Sequence, residues 1–371
     1  MKLTIDKTTF SDAVAFVART IPGRPANPIL AGVVLHAADG RLALSAFDYE
    51  TSATTTVTAD VATEGRAIVS GRLLAEIAKS LPNKPVTLET DGALIHVRCG
   101  TSKFRLLTMP LDEFPALPSA TTALGTITGH ALEHAVSQVA VAVSRDETLT
   151  HLTGVLVEAT PGLLTLMATD RYRLAIRDLA WDGTVEETFI VRGKVMSEAS
   201  KQLQGDVHVT TNAHGTVGFS DGTRTLTTQL VDGDYPPVRR LFPDAVAVKA
   251  TVNVADLAAA VKRVALVADR GIPVRLVFAD DTVTVMAGQG DDATASEALD
   301  ATIDGDPLTG NTTTLAFNPQ YLADALGALD AQHVQFGANH QAKPVTLLPV
   351  GTDGETVDGY RHLLVPIRFQ G

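Results

Sequence analysis

An internal repeat is the feature that most restricts how this chain can fold. The apolar residues of one helical stretch recur at an interval of 122 residues, so that Phe10 matches Leu132, and after a further 125 residues they recur around Leu257. A second helical stretch keeps almost the same interval and ends in each copy on a leucine: Leu81, Leu203 and Leu329. Self-similarity at one fixed period predicts tandem copies of a single structural unit. We therefore predict three domains, with boundaries at residues 1–122, 123–248 and 249–371.

The segments between the helical stretches have the pattern of β-hairpins. GVVLHAADGRLALSAFD in the first copy and GVLVEATPGLLTLMATD in the second alternate apolar and polar residues around Asp-Gly or Pro-Gly turns. Such alternation around a two-residue turn is typical of paired antiparallel strands. Each copy is thus predicted to be an α+β domain of two helices and antiparallel sheets.

Composition excludes several classes of protein. The 371 residues are 45% hydrophobic and include a single cysteine, Cys99, so no disulfide framework or cysteine-rich metal site can form within the chain. Asp6 and Lys7 interrupt the apolar stretch that a signal peptide would need, and no run reaches the ~18 apolar residues of a membrane helix. We expect a soluble cytoplasmic protein.

The net charge of −12 conceals a segregation of charge. The six windows that contain the helical stretches hold 12 Lys and Arg against eight Asp and Glu, whereas the remainder holds 18 against 34. These windows span residues 11–24, 71–84, 130–145, 192–204, 254–270 and 319–330. A surface built from them would attract phosphates while the strand-rich remainder repels them. A simpler explanation is that helices tolerate Lys and Arg well.

Motifs that suggest an enzyme have simpler explanations here. His130, Glu133 and His134 form the H-x-x-E-H string of one zinc peptidase group, which keeps a zinc metallohydrolase as a remote alternative. The matching positions of the first copy are Thr8, Ser11 and Asp12, so the string is not a property of the repeat. Residues 218–222 match G-x-S-x-G, but the surrounding pattern continues as strand. The acidic doublets 280–281 and 291–292 lie beside turns. We expect no catalytic residues, metal or cofactor.

Six local strings, in order along the chain, carry a family resemblance. They are GRPANPIL from Gly23, LTGVLVEA from Leu152, ATDRYRLA from Ala168, LVDGDYPPVRRLFP from Leu230, FNPQYLADAL from Phe317 and LLVPIRF from Leu363. With these strings the chain resembles the β subunit of bacterial DNA polymerase III, the sliding clamp, in its actinobacterial form.

The resemblance implies a head-to-tail homodimer that forms a ring around double-stranded DNA without reading its sequence. Such a ring tethers the replicative polymerase and is opened by a separate clamp-loader ATPase, because this chain has no nucleotide-binding loop. The implied DNA-binding residues are Arg24, Arg72, Lys79, Arg145, Lys194 and Lys201. The implied dimer interface comprises Arg72, Lys103, Phe104 and Leu106 on the first domain and Leu266, Val267 and Glu297 on the third.

The resemblance also implies a pocket for a short peptide motif with a Gln and a Leu/Phe-type anchor. Its partners would be the polymerase α subunit, the clamp loader, other proteins with the motif, and a peptide antibiotic. The implied pocket residues are Leu152, Thr169, Arg171, Tyr172, Arg173, Leu174, Pro236, Arg240, Leu241, Asn318, Tyr321, Val345, Val365, Pro366, Ile367 and Arg368. We expect an apolar cleft in which the guanidinium groups of Arg173 and Arg240 orient the peptide.

Some residues depart from the familiar clamp pattern. Arg171 and Tyr172 replace a smaller Gly-His pair, Val365 stands where Met is common, and residues 369–371 extend the chain end. The third domain also has an unusual GIPVRL string from Gly271 and an unusual KPVTLLPVGTDGETVDG segment. These differences leave open a second function, a clamp paralogue whose altered pocket confers resistance to a clamp-binding antibiotic.

Overall fold

The computed structural model describes residues 1–25, 27–267, 272–288 and 293–368. In these ranges the three copies share one order of helices and strands, except that the third has a single strand where the others have their fourth and fifth. The first copy contains α1 (Lys7–Ala18), α2 (Gly71–Ser80), β1 (Lys2–Ile5), β2 (Gly32–Ala38), β3 (Arg41–Phe47), β4 (Thr51–Thr58), β5 (Asp60–Thr63), β6 (Gly65–Ser70), β7 (Val86–Asp91), β8 (Leu94–Cys99) and β9 (Ser102–Met109). The second contains α3 (Gly129–Ala140), α4 (Gly193–Ser200), β10 (Thr122–Thr128), β11 (Gly154–Thr160), β12 (Leu163–Thr169), β13 (Arg173–Ala180), β14 (Asp182–Gly183), β15 (Glu187–Arg192), β16 (Asp206–Asn212), β17 (Thr216–Ser220) and β18 (Arg224–Gln229). The third contains α5 (Val254–Val264), α6 (Pro319–Gly327), β19 (Val248–Asn253), β20 (Val274–Ala279), β21 (Thr282–Ala287), β22 (Ala295–Gly305), β23 (Thr313–Phe317), β24 (His333–Ala338), β25 (Val345–Val350) and β26 (Tyr360–Leu364).

Helices α1, α5 and α6 begin where the sequence provides capping side chains. Asp6 accepts a hydrogen bond from the Thr9 amide at 2.9 Å and starts α1, and Asn253 does the same for α5. The apolar positions of the repeat, such as Phe10 and Leu257, are buried. The helices are shorter than the predicted windows, and Arg24 and Arg145 lie beyond the ends of α1 and α3. For Arg24 the reason is local, because Pro22 and Gly23 follow α1 and disfavour further helix.

The chain forms two compact units. The first comprises residues 1–132, 182–185 and 198–230, and the second comprises residues 133–181, 186–197 and 231–371. The middle copy therefore contributes strands to both units. The domain boundaries at 122 and 248 stay a prediction.

The first unit is organised by one sheet of 14 strands, in the order β14-β10-β16-β17-β18-β4-β3-β2-β6-β9-β8-β7-β1-β5. Strand β18 of the second copy pairs antiparallel with β4 of the first, from Arg224 opposite Thr55 to Thr228 opposite Thr51. The sheet thus continues from one copy into the next. Its core includes Phe10, Leu35, Leu44 and other side chains from α1, α2 and the first-copy strands.

The second unit repeats this arrangement with 12 strands, in the order β15-β11-β12-β13-β26-β25-β24-β19-β22-β21-β20-β23. Here β26 of the third copy pairs with β13 of the second, from Arg173 opposite Leu364 to Arg177 opposite Tyr360. Within the described ranges, no helix is long and apolar enough to cross a membrane.

Candidate functional site

The turn between β12 and β13 is the centre of the candidate site. Asp170 accepts hydrogen bonds from the amides of Tyr172 and Arg173, both at 3.0 Å, through one carboxylate oxygen. This Asx turn places Arg171 at φ 78°, in the left-handed region that favours glycine. The departure noted in the sequence, Arg171 instead of a glycine, therefore falls on a strained backbone position.

Arg173 leads from this turn into a buried ion pair. Its side chain is 4% exposed, its Nε donates to Asp170 at 3.0 Å, and its Nη1 donates to Asp324 of α6 at 2.7 Å. The guanidinium also lies 4.3 Å from the centre of the Tyr321 ring. Two carboxylates and an aromatic ring thus already contact this guanidinium, and the role of Arg173 in orienting a peptide stays a prediction.

Helix α6 supplies the opposite wall. Asn318 caps it by accepting hydrogen bonds from the amides of Gln320 (2.9 Å) and Tyr321 (3.3 Å). The Tyr321 ring lies 6.2 Å from that of Tyr172. Burial, followed by the charge of Asp170, raises the pKa of Tyr321, so this phenol stays protonated at neutral pH. A cavity of about 270 Å³ opens here, lined by Val143, Ser144, Arg145, Asp146, Asp170, Arg171, Tyr172, Arg173, Gln320 and Tyr321.

An apolar cluster lies beside the turn, on the other side of β13. Leu174 and Ile176 of β13 belong to it, together with Val238 and the partly buried Val365. Tyr235 attaches this cluster to the turn, because its hydroxyl accepts a hydrogen bond from the Thr169 amide at 3.0 Å. Burial raises the pKa of Tyr235 and keeps it neutral.

The C-terminal tail spans from the turn to β23. The Val365 amide donates to the Tyr172 carbonyl at 2.8 Å, and the Ile367 amide donates to the Ala316 carbonyl at 2.7 Å. Pro366 is buried between these two anchors. Ile367 is nevertheless 38% exposed, and Leu241 is 48% exposed. These apolar side chains are available to a ligand.

The residues implied for the pocket differ in their exposure to solvent: some form its surface and others lie buried beneath it. Those exposed to solvent are Arg171, Tyr172, Pro236, Arg240, Leu241, Ile367 and Arg368. Those partly exposed are Asn318, Tyr321 and Val365. Those buried are Leu152, Thr169, Arg173, Leu174, Val345 and Pro366, which support the walls from within the protein.

Sequence reasoning missed several residues that line the cavity or hold its wall in place. Asp170, Gln320 and Asp324 all lie inside strings that carried the resemblance, but their role depends on contacts that no string displays. Arg145, implied as a DNA contact, lines this cavity.

The other basic residues implied for DNA are also on the surface. Arg24, Arg72, Lys79, Arg145, Lys194 and Lys201 are all exposed. Arg72 folds back on its own unit, donating to the Pro22 carbonyl at 3.3 Å. Exposed cations of this kind can make exchangeable phosphate contacts.

The first-domain side of the implied dimer interface requires a correction. Leu106 is 3% exposed and belongs to the core of the first unit, whereas Leu107 is 73% exposed. Successive side chains of a strand point to opposite faces, so a change of one position exchanges core and surface. Lys103 is exposed and Phe104 packs against the core.

On the third-domain side, Leu266 is 84% exposed and Val267 is partly exposed. Glu297 is already paired within its own unit, since Arg263 Nε donates to it at 2.9 Å. Arg263 accordingly lowers the pKa of Glu297. Glu297 is therefore not an uncommitted acidic partner for another chain.

Besides the strands at the ends of the two sheets, β9 and β22 each have a stretch that is paired on one side only, among the described residues. Strand β9 pairs with β8 over residues 102–107, and with β6 only at Thr108 and Met109. Strand β22 pairs with β21 over residues 295–300 and with β19 over residues 301–305. One side of each strand thus presents unpaired backbone groups, which can pair with another chain.

The zinc alternative gains no support. His134 Nε2 lies 3.5 Å from the Asp330 carboxylate. In the ranges that the structure describes, no three His, Cys, Asp or Glu side chains are grouped so as to hold a metal ion.

A buried polar network lies behind the Arg173 ion pair. Gln138 of α3 donates to the Ala328 carbonyl at 2.9 Å, and the Tyr360 hydroxyl lies 2.9 Å from His362 Nδ1. Burial, followed by the charge of Arg173, lowers the pKa of His362 to about 3. This imidazole is neutral in the folded protein at neutral pH.

Family profiles match the chain in three consecutive segments. They are the N-terminal domain of the DNA polymerase III beta subunit over residues 1–118, its central domain over residues 126–237 and its C-terminal domain over residues 239–358. The chain is 41% identical over 381 residues to the beta sliding clamp of Streptomyces coelicolor, with 100% of both chains covered. It is 37% identical over 376 residues to the beta sliding clamp homolog GriR of Streptomyces muensis, again with 100% of both covered.

Solved structures of sliding clamps have the same fold as this chain. The DNA polymerase sliding clamp of Bacillus subtilis superposes with a TM-score of 0.91 at 25% identity, covering 100% of both chains. A sliding clamp of Pseudomonas aeruginosa bound to griselimycin gives the same TM-score, identity and coverage.

Proposed function

This chain belongs to the family of the DNA polymerase III beta subunit, the bacterial sliding clamp, and we propose that it acts as a homodimeric ring on duplex DNA. In this role it performs no chemistry of its own. It holds the replicative polymerase at the primer end in the cytoplasm and thereby raises the polymerase's effective concentration there.

The pairing of strands between consecutive copies, here called the sheet junction, is the observation that supports a ring. The fourth strand of one copy pairs with the last strand of the next copy at β4–β18 and again at β13–β26. The equivalent strands of the third and first copies are β22 and β9, and each of these has a stretch that is paired on one side only. Pairing between β22 of one chain and β9 of another would repeat the junction a third time, which is a heterologous contact that closes after two chains.

The existing junctions also suggest a register for the third. The Thr56 amide donates to the Thr223 carbonyl at 3.0 Å, and the equivalent Asp178 amide donates to the Gly359 carbonyl at 2.7 Å. The same offset would pair the Ala298 amide with the carbonyl of Thr101 of the partner subunit. Lys103 and Leu107 of β9 and Leu266 would then flank the interface, in place of Leu106.

Exposed cations support non-specific DNA binding by the ring. Arg24, Lys79 and Lys201 are solvent-exposed in a chain whose net charge is −12, so phosphates would be attracted locally and repelled elsewhere. Contacts of this kind hold the duplex without reading bases and permit sliding.

A topological experiment tests the clamp function. The protein is loaded onto nicked circular plasmid with a clamp loader and ATP, and the DNA-bound fraction is isolated by gel filtration. We expect the protein to stay on the circle and to leave when a restriction enzyme linearises it. Equal retention on circular and linear DNA would contradict a ring.

The site around Tyr172 and Tyr321 is proposed as the pocket for polymerase α, clamp-loader and other motif-bearing partners. The cavity has aromatic walls, and the implied pocket residues include the exposed apolar side chains of Leu241 and Ile367 and the exposed cations Arg240 and Arg368. This combination suits a peptide with an apolar anchor and a polar Gln.

Fluorescence anisotropy with a labelled Gln-Leu-Ser-Leu-Phe peptide tests the pocket. We expect saturable binding that weakens at least ~10-fold in Leu241→Asp and Ile367→Asp, because each change places a carboxylate on the apolar contact surface. Leu163→Asp is the matched control, since Leu163 is a 44% exposed leucine outside the pocket. Equal loss in all three variants would argue against a peptide site here.

A second function, resistance to a clamp-binding antibiotic, is favoured by one finding. The chain aligns along its full length with GriR at 37% identity, and its pocket carries Arg171 and Tyr172 at the turn. Replacing a chromosomal clamp gene with this gene tests this function. Reduced griselimycin sensitivity would support it, whereas normal growth with unchanged sensitivity would leave the processivity clamp alone.

A further inference from the structure

Asp324 holds the cation that lies in the pocket wall. Its Oδ2 accepts from Arg173 Nη1 at 2.7 Å, while its Oδ1 accepts from Gln320 Nε2 at 2.7 Å. Asp170 binds the Nε side of the same guanidinium at 3.0 Å. One buried cation therefore faces two carboxylates, and this group carries an excess of one negative charge.

The same ion pair fixes the positions of both aromatic walls. Asp170 belongs to the turn that carries Tyr172, and Asp324 lies on α6 three residues after Tyr321. Arg173 connects them and stacks on the Tyr321 ring at 4.3 Å, and that ring in turn lies 6.2 Å from Tyr172. Loss of either carboxylate would allow the guanidinium to move toward the cavity, which it also lines.

We propose that Asp324 is a positioning residue that determines which peptides the pocket accepts. This inference rests on the proposed peptide-binding function. By keeping Arg173 in the wall, Asp324 withholds a cation from the ligand. An acidic residue beside the apolar anchor therefore gains less from this pocket than it would from a free guanidinium.

Two peptides that differ in one side chain test this selectivity. The probes are labelled Gln-Leu-Ser-Leu-Phe and Gln-Leu-Asp-Leu-Phe, and the measured quantity is the ratio of their dissociation constants. In Asp324→Asn we expect this ratio to shift toward the Asp peptide by about fivefold, as loss of one charge several ångströms away predicts for a partly screened site. Asp324→Glu should restore the original preference, and higher salt should reduce the shift.

Asp330→Asn is the matched control, because Asp330 follows α6, is 82% exposed and makes the same change of charge. We expect it to leave the ratio unchanged. A purely structural role for Asp324 would weaken both peptides equally and leave the ratio constant, which would overturn the proposal.

Further outcomes are distinguishable. If the folded wild-type protein binds neither peptide, the pocket function fails and this inference fails with it. If Asp324→Asn does not fold, as judged by circular dichroism, Asp324→Gln replaces it, since it also removes the charge that holds Arg173. A smaller shift in the same direction would support the proposal, and no shift would overturn it.

Discussion

A single type of aspartate turn recurs at the residue scale. Asp48, Asp170 and Asp221 each accept hydrogen bonds from the amides two and three residues later. The residue after each aspartate has a positive φ: 76° at Tyr49, 78° at Arg171 and 86° at Gly222. Only the last turn uses glycine, so the other two keep a side chain where it costs free energy.

Replacing Arg171 by glycine should therefore stabilise the protein. We expect the free energy of unfolding to rise by about 0.5–1 kcal/mol, because the relief of left-handed strain exceeds the entropy that glycine adds to the unfolded chain. Urea denaturation monitored by circular dichroism measures it. Arg171→Ala removes the same charge but keeps the strain, so equal stabilisation by alanine would show that the strain is not the cause.

His362 should make stability depend on pH. Its pKa is about 3 in the folded protein, against 6.5 for an unperturbed histidine, because burial and Arg173 disfavour the charged form. The unfolded chain therefore binds the proton first, and stability is lost as pH falls from 6.5 toward 3. The slope is up to about 1.4 kcal/mol per pH unit.

The measurement compares wild type with His362→Gln in urea at pH 7.5, 6 and 5. The difference in unfolding free energy should shift in favour of the variant as pH falls below 6.5. A difference that stays constant across this range would contradict a buried neutral imidazole.

At the element scale, α6 shows how one side chain serves both helix and pocket. Asn318 was implied as a pocket residue, yet its side-chain oxygen accepts two hydrogen bonds from the first turn of α6. Since Tyr321 lies on that turn, the cap also positions one wall of the cavity.

Asn318→Ala should destabilise the protein by about 1 kcal/mol and weaken peptide binding in parallel, whereas Asn318→Asp should retain both. Thermal unfolding and peptide anisotropy provide the two measurements. Weakened binding by Asn318→Asp at unchanged stability would instead assign the amide nitrogen a direct contact with the peptide.

Strand β9 is an element whose presence the sequence predicts but whose buried face it does not. The string SKFRLLTM predicts a strand, but two adjacent leucines satisfy the alternating pattern in either phase. Packing of Leu106 into the core of the first unit decides the phase and leaves Leu107 outside. The ion pair of Arg173 was unpredictable for a similar reason, because a sequence string does not show that the distant Asp324 will lie within hydrogen-bonding distance of it.

At the scale of the whole molecule, the open edge of β9 should control dimerisation. The Thr108 amide donates to the Ala93 carbonyl on the β8 side at 2.9 Å, so the amides of Lys103, Arg105 and Leu107 point away from β8. Arg105→Pro would remove one outward donor from the proposed intersubunit ladder, as proline is tolerated on an edge strand. We expect analytical ultracentrifugation to show monomers for this variant.

Arg105→Ala keeps the amide and is the control, for which we expect dimers. Dimers of Arg105→Pro with unchanged dissociation would place the interface elsewhere.

The repeat predicted much of this architecture from the sequence alone. Shared intervals at Phe10, Leu132 and Leu257 identified three copies with two helices each, and the strings identified the family. The division of the middle copy between two sheets was not predictable from the repeat. It depends on pairing between strands more than 120 residues apart, such as β4 with β18 and β13 with β26.

Continuity of the sheets across copies bears on how such a chain could have arisen. A gene encoding one copy alone would make a protein in which the fourth and the last strand each have an unpaired edge, and these two edges can pair with each other between molecules. Its products would have associated head to tail before any fusion joined them. Gene duplication and fusion would then have linked neighbours in an existing assembly, converting two intermolecular ladders into the internal pairs β4–β18 and β13–β26. The remaining pair of edges would be the last trace of that ancestral oligomer.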